Sequence, residues 1–379
     1  MMVVIALINI ITSRNNINLQ KEDLIFLFCF LTYPLIVLLE TIFLNIEMRE
    51  FESYSRLILV VPIYFILSRN YQISIILFIS MALGAITIGI YSLGQLIFEV
   101  ELFRSFIHPG MLSLFSSILG LSLLFLVRKT NKIITNLLFI ISGLAGIISM
   151  FLSGGRGVWI AALCTLLIIL IANPYNLPRR VKIIPILLFF ILGLSIFFMP
   201  NSNMSKKIDH IVTGVQEYIS HQHDSDLTKG ESVITRFAMW ESAIKIARNN
   251  LLFGVGENNY QKNLMKLIEK GEAPEFIGKF KHPHNQFLST LVQHGLLGLM
   301  PLLILLTYPI YFSLKNIRNK DMSENNRYRF QTNLILLIVS SHYFFYSFTS
   351  AIFAHQTMAL FYAFMISSLT GMIMNKRTL

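Results

Sequence analysis

Cysteine and charge are the two things this sequence has little of. Its 379 residues include two cysteines, Cys29 and Cys164. Both lie inside apolar runs, so neither a disulfide framework nor a thiolate metal site can be built from them. Only 13% of residues are charged, against about a quarter in an ordinary soluble domain, which excludes a soluble globular protein. The alternating segments of about ten residues that mark a spanning β-barrel are missing. So are a nucleotide-binding glycine loop, a compact carboxylate cluster, and the internal repeat of a transporter built from two halves. The apolar start, Met1 to Thr12, lacks the basic region of a signal peptide and reads as a shortened first helix.

What the chain does have is long Leu/Ile/Phe runs, with 54% hydrophobic residues overall. Runs near 20 residues cross a hydrocarbon core of about 30 Å as helices. They fall at roughly 2–12, 24–46, 54–68, 72–98, 109–127, 133–152, 157–173, 182–200, 286–314, 331–350 and 354–374. The fold class expected is all-α, a polytopic integral membrane protein with about 11–12 transmembrane helices. Three parts follow: N-terminal membrane helices over 1–199, a large polar loop over 200–285, and C-terminal membrane helices over 286–379.

The net charge of +11 raises the question of nucleic acid or anionic lipid. Its placement answers against nucleic acid. The large loop is nearly neutral, with about eleven Lys/Arg against about ten Asp/Glu. The excess sits in short connections: Arg128, Lys129 and Lys132; Arg179, Arg180 and Lys182; Lys315, Arg318, Lys320, Arg327 and Arg329; Lys376 and Arg377. Such a bias puts those connections in the cytoplasm. Alternation then puts 47–53, 99–108, 153–157, 200–285 and 351–355 on the other side, the periplasm if the cell is bacterial. The expected location is the cell inner membrane.

The large loop carries helical periodicity in Ile208, Ile211, Val212, Val215, Tyr218 and Ile219, and again in Val233, Phe237, Trp240 and Ile244. Both read as amphipathic helices on or near the membrane. His221, His223, Asp224 and Asp226 have metal-ligand types but loose spacing, so no metal is expected. Gly254-Val255-Gly256 marks a turn.

Several side chains could carry chemistry at the outer face. Arg156, in Ser153-Gly154-Gly155-Arg156-Gly157, sits at a tight hairpin where positive-inside bias disfavours arginine. It is either a snorkelling side chain at the headgroups or a fork of donors for phosphate oxygens. Arg236 lies beside Phe237 and Trp240, on a helix face that packs on something. Arg56, at the same side, could also meet phosphate. His284 precedes a membrane helix for which Asn285 is a plausible N-cap and a candidate substrate contact. The positive end of that helix favours a neutral imidazole, which can accept a proton. His282 competes for that role, while His294 faces the helix interior. Glu40 is ionisable within a span, a candidate by default unless it merely pairs with a cation.

At these residues a pattern emerges. His284-Asn285, nine residues, then Gly295-Leu296-Leu297-Gly298 resembles the histidine motif of the O-antigen ligase family. The Ser-Gly-Gly-Arg-Gly hairpin at 153–157 resembles that family's arginine at a short periplasmic turn. Thr235-Arg236-Phe237 with Trp240, followed by Gly254 and Gly256, resembles the start of its large periplasmic loop. The resemblance covers roughly residues 110–310. Family members have about twelve spans against the eleven read here, a departure at the N-terminal end.

The resemblance implies a glycosyltransferase of lipopolysaccharide biosynthesis. Its donor is an O-antigen chain on undecaprenyl diphosphate, its acceptor a sugar hydroxyl of lipid A–core, and both reach it from membrane lipid. His284 is implied as general base, and Arg156, Arg236 and Arg56 as the diphosphate clamp. Transfer is implied to invert the anomeric centre without metal, ATP or other cofactor. An O-antigen polymerase or a protein O-oligosaccharyltransferase would share most of these features. A glycolipid transporter would instead need charged residues deep in the spans.

Overall fold

The computed structural model describes residues 21–43, 47–49, 51–59, 61–68, 73–98, 108–127, 133–172, 174, 179–197, 233–257, 259–318 and 327–375. The span expected at 2–12, the helical pattern from Ile208 to Ile219, the connector His221–Asp226, and the basic residues Arg128, Lys129, Lys132, Lys320, Lys376 and Arg377 lie outside the described residues. Among the described residues all regular structure is helical. The helices are α1 (Lys21–Phe43), α2 (Glu52–Leu59), α3 (Val61–Leu67), α4 (Ile73–Phe98), α5 (Pro109–Leu126), α6 (Ile133–Leu152), α7 (Arg156–Ala172), α8 (Arg179–Phe197), α9 (Val233–Arg248), α10 (Asn259–Glu269), α11 (Gln286–Ile317), α12 (Arg327–Tyr346) and α13 (Gln356–Met374).

This is an all-α, multi-pass membrane protein. Six of these segments are long and apolar enough to cross a bilayer: α1, Ile76–Gln95 within α4, α5, α6, α11 and α13. Shorter apolar helices cover Arg156–Ala172 and Ile183–Ser195. Each spanning helix divides its surface. On α1, Phe26, Phe30, Tyr33 and Val37 are buried, while Leu24, Phe28, Leu35, Leu39 and Ile42 are exposed. In water such a helix would bury one stripe and leave a polar face; here the outward face is as apolar as the inward one. The stretch 54–68 folds as two short helices, α2 and α3, rather than one span. Pro62, in the first turn of α3, has no N–H to return to the preceding turn.

The bundle has two lobes. In one, α4, α5 and α6 pack together; in the other, α11, α12 and α13 pack with α1, α2 and α3. Helix α12 contacts α5 and α7 and so joins the lobes. Small residues set the α5–α6 distance. A Cβ on Gly120 would lie 2.8 Å from Ile147 N, and one on Gly146 would lie 2.7 Å from Gly120 Cα, so the backbones touch directly. Polar groups fix α12. His342 Nδ1 donates to Ile338 O at 2.9 Å, which leaves Nε2 to accept from Ser117 Oγ at 2.9 Å. Thr165 Oγ1 of α7 lies 3.0 Å from the same ring.

A second, smaller core lies beside the bundle. It comprises Ala238, Met239, Ala243, Ile246 and Ala247 of α9, Tyr260 and Leu264 of α10, with Ala273, Ile277 and Val292. Val292 belongs to α11, so the small unit and the membrane helix share a core. The buried face of α9 is a stripe of small residues. Phe237 and Ile244, read as part of an amphipathic face on or near the membrane, are each 41% exposed. Alanines let α9 approach its neighbours closely, and that selects the face the hydrophobic pattern would have turned outward.

Candidate active site

The site is organised by a break in α11. Gly295 has φ 60 and ψ −158 inside the helix. A residue in that conformation cannot continue the i→i−4 ladder, so Val292 O, Gln293 O, Leu296 N and Leu297 N lose their helical partners. The segment 251–256 supplies all four. Val255 N donates to Val292 O at 2.8 Å and Gly256 N to Gln293 O at 2.9 Å; Leu296 N donates to Leu251 O at 2.9 Å and Leu297 N to Leu252 O at 3.2 Å. The turn read at Gly254–Gly256 is therefore a strap threaded into the broken helix. Two glycines make this possible. Gly254 has φ 70, and a Cβ there would lie 2.5 Å from the Gln293 carbonyl; a Cβ on Gly295 would lie 2.3 Å from Leu252 O.

The half-helix 286–294 that this break defines begins at His284-Asn285. Asn285 Oδ1 accepts from Leu288 N at 3.0 Å, the N-cap expected of it. Gln286 N donates to Ser347 O at 2.8 Å, tying the same turn to the end of α12. His284 itself has φ 50, the sole positive φ at a non-glycine among the described residues. Such a conformation is uncommon outside glycine and asparagine, and the surrounding contacts hold it. Trp240 Nε1 donates to Pro283 O at 2.9 Å, fastening α9 to the turn. The His284 ring meets Phe280 edge-on at 5.7 Å and His282 at 4.5 Å between centroids.

Burial and nearby cations hold His284 in its neutral form. Its pKa falls to about 4, chiefly because the ring is desolvated, then because of charge on Arg236, His108 and His355. Arg236 of α9 is thus near enough for its charge to act on His284. His108 and His355 were not foreseen as site residues. His108 Nδ1 accepts from Gly110 N at 3.1 Å at the start of α5. His355 precedes α13, stacks on His108 at 5.8 Å and reaches His282 at 6.4 Å. Burial, then the His108 charge, lowers its pKa too. The available signal was topological: segments 99–108 and 351–355 both fall on the outer side by alternation.

The remaining candidates enter from the same end of the bundle. Arg56 pairs with Glu52 at 2.9 Å and donates to Gln356 Oε1 at 3.5 Å, next to His355 in the chain. Arg156 is exposed and opens α7. A Cβ on Gly155 would strike Ser113 of α5, and one on Gly157 would strike Thr349 just past α12. That contact seats the hairpin against the segments bearing His108 and Ser347. Glu40 is not part of this rim. It pairs with His294 Nδ1, whose Nε2 lies 2.9 Å from Glu257 Oε2. A Cβ on Gly298 would lie 2.2 Å from His294 Cβ, so the second glycine of the motif makes room for this imidazole. Among the described residues no group of three or more His, Cys, Asp or Glu is arranged to hold a metal ion.

Comparison with known proteins identifies the stretch that carries these features. Residues 139–303 match the family described as O-antigen ligase. That range includes Arg156, Arg236, His284 and the Gly295–Gly298 pair, and excludes Arg56, His108 and His355. An uncharacterized protein of Haemophilus influenzae is 25% identical over 371 residues, 94% of this chain and 88% of the relative.

Proposed function

We propose, for a chain whose residues 139–303 belong to the O-antigen ligase family, that it moves an O-antigen chain from undecaprenyl diphosphate to a hydroxyl of lipid A–core. The observation that carries this reading is a neutral His284 held in a left-handed turn within reach of the charge on Arg236. A neutral imidazole accepts a proton, and a guanidinium binds the phosphate oxygens of the donor.

The step balances as follows. The acceptor O–H gives its proton to His284. Its oxygen forms a bond to the anomeric carbon as the bond from that carbon to the diphosphate oxygen breaks. Undecaprenyl diphosphate leaves with the electron pair, and attack from the opposite side inverts the centre. Arg236, Arg156 and Arg56 oppose the charge that grows on the leaving group. Asn285, with Oδ1 on the helix cap, offers its amide N–H to a substrate oxygen. The bound diphosphate also offsets the cations around His284, so the imidazole becomes a stronger base when the donor is present.

The site faces the periplasm of the inner membrane in this reading. Its support is helix direction. Helices α7, α11 and α13 start at the site and α12 ends there, while the basic residues Lys315, Arg318, Arg327 and Arg329 sit at the far ends of α11 and α12. The large loop 200–285 then lies outside, between the N-terminal and C-terminal membrane helices.

The test is transfer by purified protein in vesicles holding lipid-linked O-antigen and lipid A–core. Product that disappears in His284→Ala supports the assignment. Product formed by His284→Ala at the normal rate removes the base. Longer lipid-linked polymer in place of the lipid A–core product would make the acceptor a second repeat unit and the enzyme a polymerase.

A further inference from the structure

A buried ion cluster below the rim takes no part in the chemistry above, yet it closes the break in α11. His294, the last residue before Gly295, faces a carboxylate from each ring nitrogen: Glu40 of α1 at Nδ1, and Glu257 at Nε2, 2.9 Å away. A carboxylate at each end of the ring favours the imidazolium. Glu257 directly follows Gly256, the end of the strap. Tyr54 of α2 donates to Glu257 Oε2 at 3.3 Å. The rings of Tyr54 and Tyr33 meet edge-on at 5.8 Å between centroids, and Tyr33 OH lies 3.2 Å from Thr290 Oγ1. Thr290 accepts from Gln286 Nε2 at 3.0 Å, and Gln286 Oε1 accepts from Phe353 N at 2.9 Å. The chain of contacts therefore runs the length of the half-helix, about 13 Å for nine residues, from the break back to the turn that bears His284.

From this continuity we infer that Glu40, His294 and Glu257 are positioning residues: their charge balance holds the strap in the helix break and, through it, sets His284 against Arg236. The four backbone bonds of the strap persist only while its end is fixed, and Glu257 fixes it. Removing the cation would leave two carboxylates facing each other without a counter-ion, an arrangement that repels. The strap is the part free to yield, because α1 and α11 are packed in the bundle. Its displacement moves α9, and with it the contact of Trp240 to Pro283. The catalytic consequence rests on the glycan-transfer reading; the structural one does not.

Charge balance makes a specific demand on paired substitutions. His294→Gln leaves Glu40 and Glu257 opposed and should be the most damaging single change. Adding Glu257→Gln removes one of the two negative charges and should repair the damage. A proton-transferring His294 could not be repaired in this way. The chain has two tryptophans, so a Trp159→Phe background leaves Trp240 as reporter of the joint between α9 and the His284 turn. The full-length protein in vesicles is read by Trp240 emission and by transfer kinetics.

In that background, His294→Gln should shift Trp240 emission to the red and lower kcat about 10- to 100-fold, the scale of a small misplacement. The donor KM should rise as well, because the displaced α9 carries Arg236. The pair Glu257→Gln with His294→Gln should recover the emission and most of the turnover. Unchanged emission in His294→Gln, or a double variant as impaired as the single, overturns the inference. If His294→Gln fails to accumulate, accumulation of the double variant supports the lock and its absence refutes it. If the wild-type protein transfers no glycan, the functional reading fails, and the emission series still decides the lock.

Discussion

The indole N–H of Trp240 donates to the carbonyl of Pro283 at 2.9 Å, and this bond joins the two halves of the site. Trp240 is one helical turn past Arg236 on α9. Pro283 is one residue before His284. A single hydrogen bond thus ties the helix that bears the Arg236 guanidinium to the turn that bears the His284 imidazole, although they come from separate elements.

Trp240→Phe keeps most of the ring contact and removes that donor. The lost bond is worth about 1 kcal/mol, so the protein should still fold and its melting temperature should fall slightly. Transfer should fall more than stability does, by about tenfold or more, because the two groups lose register. Paired measurements of melting and of kcat check this; a loss of activity that merely tracks unfolding would refute the joint.

The strap predicts a different kind of damage. Gly254→Ala places a Cβ 2.5 Å from the Gln293 carbonyl in a residue with φ 70. The left-handed conformation alone costs about 1–2 kcal/mol for a residue with a side chain, and backbone is the group that must move. Gly295→Ala meets Leu252 O at 2.3 Å with φ 60 and should act the same way. Each variant should unfold at lower temperature. Gly94→Ala, where nothing lies within 4 Å of the added Cβ, is the control that should not.

Much of this architecture was legible in the sequence, and the part that was not has a physical reason. Apolar length marked the membrane helices, and the side assigned to each loop is the ground on which Arg156, Arg236 and His284 were expected to share one face. Gly254, Gly256 and Gly295 stood out as residues, but their interlock did not. Pairing between a loop and a broken helix uses backbone atoms, which leave no pattern of side-chain types. Glu257 was lost in a loop rich in charge, since nothing local marks the one carboxylate that faces His294. The alanine face by which α9 packs on its neighbours left no such mark, because small residues bring helices together without being strongly hydrophobic. Glu40 read as a functional candidate or as a residue that merely pairs with a cation; its partner, His294, is 254 positions away.

Arginine geometry offers a test of the clamp. Lysine keeps the charge but not the planar fork that binds phosphate at two oxygens. Arg236→Lys and Arg156→Lys should each raise the donor KM and lower kcat/KM by about 10- to 100-fold, the value of one charge-assisted contact of about 1.5–3 kcal/mol. Arg56 already pairs with Glu52 at 2.9 Å and is partly exposed. Arg56→Lys should therefore cost less than either. Steady-state kinetics at varied lipid-linked donor rank the three, and equal losses at all three would count against the order proposed here.

The pH profile tests the electrostatics directly. The base proposed at His284 can accept a proton only when unprotonated, and its pKa is lowered to about 4 by burial and by charge on Arg236, His108 and His355. The lowered value means that the active form persists as the medium is acidified and is lost only as pH falls through about 4. An ordinary histidine would lose it near 6.5. The acidic limb of kcat/KM, which reports the free enzyme, should therefore lie well below 6.5. His108→Gln and His355→Gln each remove one imidazole whose positive charge in acid would oppose protonation of His284, while leaving the His284 turn bonded to Trp240 and capped by Asn285. Both should move the limb toward higher pH, because protonating His284 no longer adds charge beside charge. A wild-type limb near 6.5, or no movement in either variant, would show that these imidazoles do not tune the base.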